Sequence, residues 1–130
     1  MYRIELSGKV ISEEINTLID STGSAKNNFN WDNILPRSLA YIIVRNEEGK
    51  LIGFCNLSWD GGRHAIFYDL NIHPDYHHKD LPTKIILPLM TAAKEAGVKY
   101  LHAGFMKSRL NLAKSYGFQE VHAVLKIFET

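Results

Sequence analysis

The chain is poor in the residues that staple, anchor or address a protein. A single cysteine, Cys55, among 130 residues excludes an intramolecular disulfide. The opening "MYRIELSGKV" has no apolar signal-peptide core, and together these features lead us to expect a reducing cytoplasm. Long apolar runs are missing too. The longest, Leu39 to Val44, is far short of the roughly 20 residues that cross a bilayer, so a soluble protein with no membrane partner is expected. Neither charge dominates: 15 Lys and Arg stand against 14 Asp and Glu, a net charge of +1. No overall field therefore recruits nucleic acid or an anionic surface, and any charge-dependent function has to be local. No internal repeat is present. What the chain does have is 45% hydrophobic residues over 130 positions, enough to fill the core of one domain spanning residues 1–130.

The pattern alternates strand and helix. "YRIEL" reads as a first strand, and "SEEINTLIDSTG" as a short amphipathic helix with Ser12 as its cap, Glu13 and Glu14 in the positive first turn, and Ile15, Leu18 and Ile19 on one face. "STGSAKNNFNWDN" is a polar loop with two apolar anchors, Phe29 and Trp31, leading towards a short helix before Pro36. "AYIIVRNEEGKLIGFCNLSW" has the signature of a hairpin, and "DGG" at residues 60 to 62 turns into "RHAIFYDLNIHP", which makes a three-stranded antiparallel meander. "LPTKIILPLMTAAKEAGV" follows with helical spacing, Pro88 inside it and Gly97 as its stop. "KYLHAGF" reads as a strand, "SRLNLAKSYG" as a short helix ended by Gly117, and "FQEVHAVLKIFE" as one long or two short closing strands.

Three stretches in this order, "EEGKLIGFCNLSW", "YDLNIHPDYHHKDLPTKII" and "LNLAKSYGFQEV", resemble the GNAT superfamily of acetyl-CoA-dependent N-acetyltransferases over about Ala40 to Val121. The resemblance implies an α/β (α+β) GNAT fold: a mixed central sheet with an antiparallel N-terminal meander, flanked by helices. It implies acetyl-CoA as cofactor and a small-molecule or peptide amine as acceptor. It also implies that main-chain groups around Leu70, Asn71 and Ile72 pair with the pantetheine arm, and that the loop and helix start from His77 through His78, Lys79, Asp80, Leu81 and Pro82 to Thr83 receive the pyrophosphate.

The physics of that loop stands independently of any family. Free N–H groups at a helix start, together with the helix dipole, favour an anion, and glycine lets a phosphate reach the main chain. Laid on the family pattern, His77 occupies the Arg or Gln position, Asp80 the first Gly and Pro82 the Gly or Ala. Pro82 lacks an N–H, and the carboxylate of Asp80 repels a nearby phosphate. His77, His78, Lys79, Thr83 and Lys84 supply cationic or hydroxyl donors in compensation. The late-helix tyrosine that protonates the leaving thiolate in many family members corresponds here to Ala113, and Tyr116 lies three residues on.

Acetyl transfer to an alkyl amine with a pKa of about 10 needs a proton acceptor near the amine. Asp69 is the best-placed carboxylate, because simple alternation puts Phe67, Asp69, Asn71 and His73 on one strand face. Its other reading is a hydrogen-bonding residue of the strand. Tyr116 likewise reads either as a general acid or as a core residue beside Gly117. His73 and His77 have the i, i+4 spacing of a metal pair but precede the helix, so no metal is expected. Lys107, Arg109 and Lys114 read as a solvated face or as contacts to cofactor phosphates, and Cys55 as a small core residue. The same fold without turnover, a binding or regulatory module, is the competing reading. Edge strands and the apolar C-terminal run are compatible with a homodimer.

Overall fold

The structure, a computed structural model, describes residues 2–23, 28–77, 80–104 and 109–128, with Asp69 described by its backbone alone. The meander is built by its turns. After strand β2 (Ser38–Arg45), the Asn46 side-chain oxygen accepts the N–H groups of Glu48 and Lys50 at 3.0 and 2.9 Å. Gly49 takes φ +83°, which an L side chain rarely adopts, and β3 (Leu51–Trp59) returns. The Asp60 carboxylate then accepts the N–H groups of Gly62 and His64 at 2.7 and 3.2 Å, which starts β4 (His64–Ile72). With β1 (Arg3–Leu6) and β5 (Tyr100–Ala103), the sheet runs β1-β2-β3-β4-β5, antiparallel except for the parallel β4–β5 pair. The mixed sheet and antiparallel meander are as expected.

Helices cover both faces. On one, α3 (Leu81–Glu95) packs Leu81, Ile85, Ile86 and Leu89 against Ile42, Val44, Leu57 and Phe67. On the other, α1 (Ser12–Ser21) and α2 (Trp31–Ile34) pack Ile15, Leu18, Ile19 and Trp31 against Ile43 and Phe54. The cap of α1 differs from the expectation. Ile11 is the N-cap, and its N–H is held by Glu14 at 3.1 Å. The Ser12 hydroxyl instead donates to the Phe29 carbonyl and accepts the Trp31 N–H, tying the loop that carries both aromatics. Pro88 lies within a continuous α3, and Gly97, at φ +87°, ends it.

Two expectations fail in physically informative ways. Strand alternation does not carry through β4: Tyr68 faces Asn56 but Asn71 faces Phe54, so Asp69 and Leu70 together oppose the single residue Cys55. This β-bulge moves Asn71 to the sheet face opposite Phe67 and brings Ile72 onto Phe67's face. The closing strands do not form either. After α4 (Leu110–Ser115) and Gly117, residues 118–128 have no regular structure. Val121, Val124, Leu125, Ile127 and Phe128 are 70–102% exposed. The strand propensity is there, but no neighbouring strand within the described chain receives it. Among the described residues, no helix is long and apolar enough to cross a membrane.

Candidate functional site

Among the described residues, strands β4 and β5 are paired from His64↔Tyr100 to Phe67↔Ala103. Beyond that point β4 runs on with no β5 partner among the described residues, and a cavity of about 410 Å³ opens there. Its walls are Phe67, Leu70, Asn71 and Ile72 of β4, Ala103 and Gly104 at the end of β5, Cys55 of β3 and Ile86 of α3, with Thr22, His77 and Arg109 at the rim. The C-terminal ends of parallel strands commonly hold ligands because main-chain groups there have lost their neighbour. The bulge decides which ones. The His73 N–H donates to the Ile52 carbonyl at 2.8 Å, so alternation turns the main-chain groups of Leu70 and Ile72 towards the cavity and those of Asn71 towards β3. The His77 ring donates to the Ile72 carbonyl at 2.7 Å. Leu70 and the Ile72 N–H are thus the backbone groups facing the cavity without that bond.

Because the bulge places Phe67 and Ile72 on the α3 side and Asn71 on the α1 side, the cavity is lined from both faces of the sheet. His77, exposed, and Arg109, half-buried, are the lining residues that carry nitrogen donors on their side chains besides Asn71.

The sequence matches the acetyltransferase (GNAT) family over residues 11–118. The chain belongs to that family. The GNAT chain is 28% identical over 106 residues to the L-amino acid N-acyltransferase MnaT of Escherichia coli K12, an alignment covering 76% of the chain and 62% of the relative. It therefore spans less than two thirds of that relative's length. An acetyltransferase of the GNAT family from Streptococcus pneumoniae TIGR4 has the same fold at TM-score 0.81 and 18% identity, with 100% of both chains covered. A structure of AAC(6')-Iy with the bisubstrate analogue CoA-S-monomethyl-acetylneamine aligns at TM-score 0.70 and 15% identity, covering 100% of this chain and 99% of that one.

Within the GNAT fold the expected site residues take different positions. Leu70, Asn71, Ile72 and His77 meet in the cavity. Thr83 and Tyr116 meet each other instead: their hydroxyls are 2.5 Å apart, clamping the end of α4 to the first turn of α3, and Tyr116 packs on the α3-side core. Leu81 and Pro82 are buried core residues of α3's first turn. Their side chains are taken up by packing, which leaves only the main chain of this turn to meet a phosphate. Asp80 is the exposed N-cap of α3 and makes no capping bond. His78, Lys79 and Lys107 and the side chain of Asp69 lie outside the described residues. The two histidines of the metal spacing are engaged separately, His77 with Ile72 and the His73 ring with the Asp75 N–H at 3.2 Å.

Sequence reasoning missed Thr22, Phe67, Ile86, Ala103 and Gly104. The small pair "AG" at the end of a strand parallel to β4 is the one signal that could have pointed to the cavity mouth. Cys55 is a fully buried core residue as expected, with Sγ 3.6 Å from the Tyr68 carbonyl, and it also touches the cavity. A charged pair lies elsewhere. The Arg45 guanidinium binds Glu14 through contacts of 2.5 and 3.1 Å and holds its carboxyl below the usual range, while the pair raises Arg45. That pair ties the end of β2 to α1 and takes no part in the cavity.

Proposed function

We propose that the chain binds acetyl-CoA in the cleft between β4 and β5 and transfers its acetyl group to a primary amine by direct attack, with no covalent enzyme intermediate. The observation that carries this reading is the 410 Å³ cavity at the point where two parallel strands part, with backbone turned into it by the bulge at Asp69–Leu70. The residues present fit the thioester arm. Phe67, Leu70, Ile86 and Cys55 offer an apolar wall, and the Leu70 and Ile72 main chain offers hydrogen bonds along an extended amide-bearing ligand. Bound acetyl-CoA supplies an activated acyl carbon. The Leu70 N–H is assigned to the developing oxyanion, His77 and Arg109 to the diphosphate, Asp69 to the amine proton, and Tyr116 to the leaving thiolate through rearrangement of its Thr83 bond. The amine of an amino acid is the first acceptor class to test, because the MnaT relative is named for that chemistry.

Acetyl-CoA should raise the melting temperature in proportion to the logarithm of its concentration, as a ligand specific for the native state does. Turnover with an amino acid should release free thiol. Tyr116→Phe should lower kcat by roughly a hundredfold or more if the phenol gives the proton; an unchanged kcat removes it from the mechanism.

One structural observation favours a second reading, a GNAT-fold module that binds without turnover: the α3 start presents exposed Asp80 and proline at its second position where an anion would sit. The absence of any thermal shift with acetyl-CoA selects it.

A further inference from the structure

We propose that a groove between α1 and the start of β3 is a second binding site, for a free α-amino acid with an aliphatic side chain. The groove is a cavity of about 270 Å³ that shares no lining residue with the cleft. Its floor is Leu18 of α1 and Leu51 of β3, 2% and 5% exposed. Ile11, the N-cap of α1, leaves a large apolar side chain 59% exposed beside them. An aliphatic group laid there removes that surface from water, which favours binding.

The charged groups stand on two walls. α1 contributes Glu13, and the strand wall contributes Lys50 and His73. Glu13 and Lys50 are exposed, and neither has an ion-pair partner among the described residues. Glu14, the other carboxylate of the lining, is already engaged by Arg45 and the Ile11 N–H. The His73 Nδ1 accepts the Asp75 N–H at 3.2 Å, so the neutral ring carries its proton on Nε2 and has a donor left to give. An α-amino acid matches both walls: its carboxylate takes Lys50 and the His73 N–H, its ammonium takes Glu13, and its side chain covers Leu18, Leu51 and Ile11. A plain carboxylate leaves Glu13 without a partner, and a plain amine does the same to Lys50. Size points the same way, because the groove lies just below the roughly 300–1,000 Å³ of sites for drug-sized ligands.

Titration of the full chain with L-leucine in the absence of acetyl-CoA, followed by amide chemical shifts, tests this independently of acetyl transfer. We expect saturable shifts at Thr17, Leu18, Lys50, Leu51 and His73. 4-Methylpentanoate, which lacks the ammonium, and 3-methylbutylamine, which lacks the carboxylate, should each bind about tenfold more weakly or worse. Thr17→Trp puts an indole in the groove and Lys50→Glu reverses the carboxylate's partner. Each replaces an exposed lining residue and should raise the L-leucine Kd by about tenfold or more at an unchanged melting temperature; should one variant fold poorly, the other still decides. No saturation by millimolar L-leucine overturns the proposal, as does undiminished binding by the folded variants. Shifts confined to Leu70, Asn71 and Gly104 place the amino acid in the cleft and overturn it too, and equal binding of either truncated probe overturns the amino-acid assignment.

Discussion

The two faces of the sheet are held by different physics. The α3 face is mainly a matter of shape, with Ile42, Val44, Leu57, Ile85 and Leu89 clustered around Phe67 and the Thr83–Tyr116 hydroxyl pair joining the helix ends. The α1 face is aromatic and directional. Trp31 stands edge-on to Phe54 with centroids 5.2 Å apart and donates its indole N–H to Asn16 at 3.0 Å. Arg45 binds Glu14 and the carbonyls of Lys9 and Gly49, and Asn56, 1% exposed, keeps a side-chain oxygen without a partner. Shape specifies the first face, whereas bond geometry specifies the second. The cavity opens between them, lined by Phe67, Ile72 and Ile86 from the α3 side and by Asn71 and Thr22 from the α1 side.

That contrast can be pressed hardest at Trp31. Trp31→Ala should cost about 3–5 kcal/mol, because it empties a large buried site and orphans Asn16; urea unfolding measures it, and a loss no larger than that of an exposed substitution would erase the distinction between the faces. On the aliphatic side, Leu89→Ala should cost roughly 2–5 kcal/mol through its cavity alone and leave the pH dependence of stability unaltered.

Arg45→Met should cost about 1.5–3 kcal/mol at neutral pH, since it leaves Glu14 and two carbonyls without their donor. The sign of its pH dependence follows from Glu14. The folded carboxyl is held below its ordinary 4.5, so its contribution is present above that value and fades as pH falls through the lower folded one. The stability deficit of Glu14→Gln should therefore be full at pH 7 and shrink under acid; a deficit constant with pH would mean that the carboxylate charge contributes nothing. The smallest effect is expected at Asn56. Replacing this buried amide, whose oxygen has no partner and whose nitrogen makes one long 3.5 Å bond to Ser58, by a hydrocarbon of similar volume should be neutral or stabilising by up to about 1 kcal/mol, so a marked loss in Asn56→Leu would show that the amide's bonds outweigh its desolvation.

Much of the fold was legible because its signals are local. Asn46, Gly49, Asp60 and Gly61 mark their turns by side-chain bonding and positive φ, and the period of Leu81, Ile85 and Leu89 places α3 against the sheet. The site was legible in part. Leu70, Asn71, Ile72 and His77 line one cavity, Leu81 and Pro82 lie in α3's first turn with their side chains packed, and Tyr116 is bonded to Thr83. Nothing near Asp69 in the chain announces that it and Leu70 will together oppose Cys55.

The order of strands and helices up to α4, the turn chemistry and membership of the GNAT family were written in the chain itself, since periodicity and motif spacing act over a few neighbouring residues. The bulge in β4, the parting of β4 from β5, the joining of Thr22, Cys55 and Ala103 around one cavity, and the bare C-terminal segment arose only in three dimensions. Each depends on register and contact between residues far apart in sequence, and a one-residue change of register sends every following side chain to the other face.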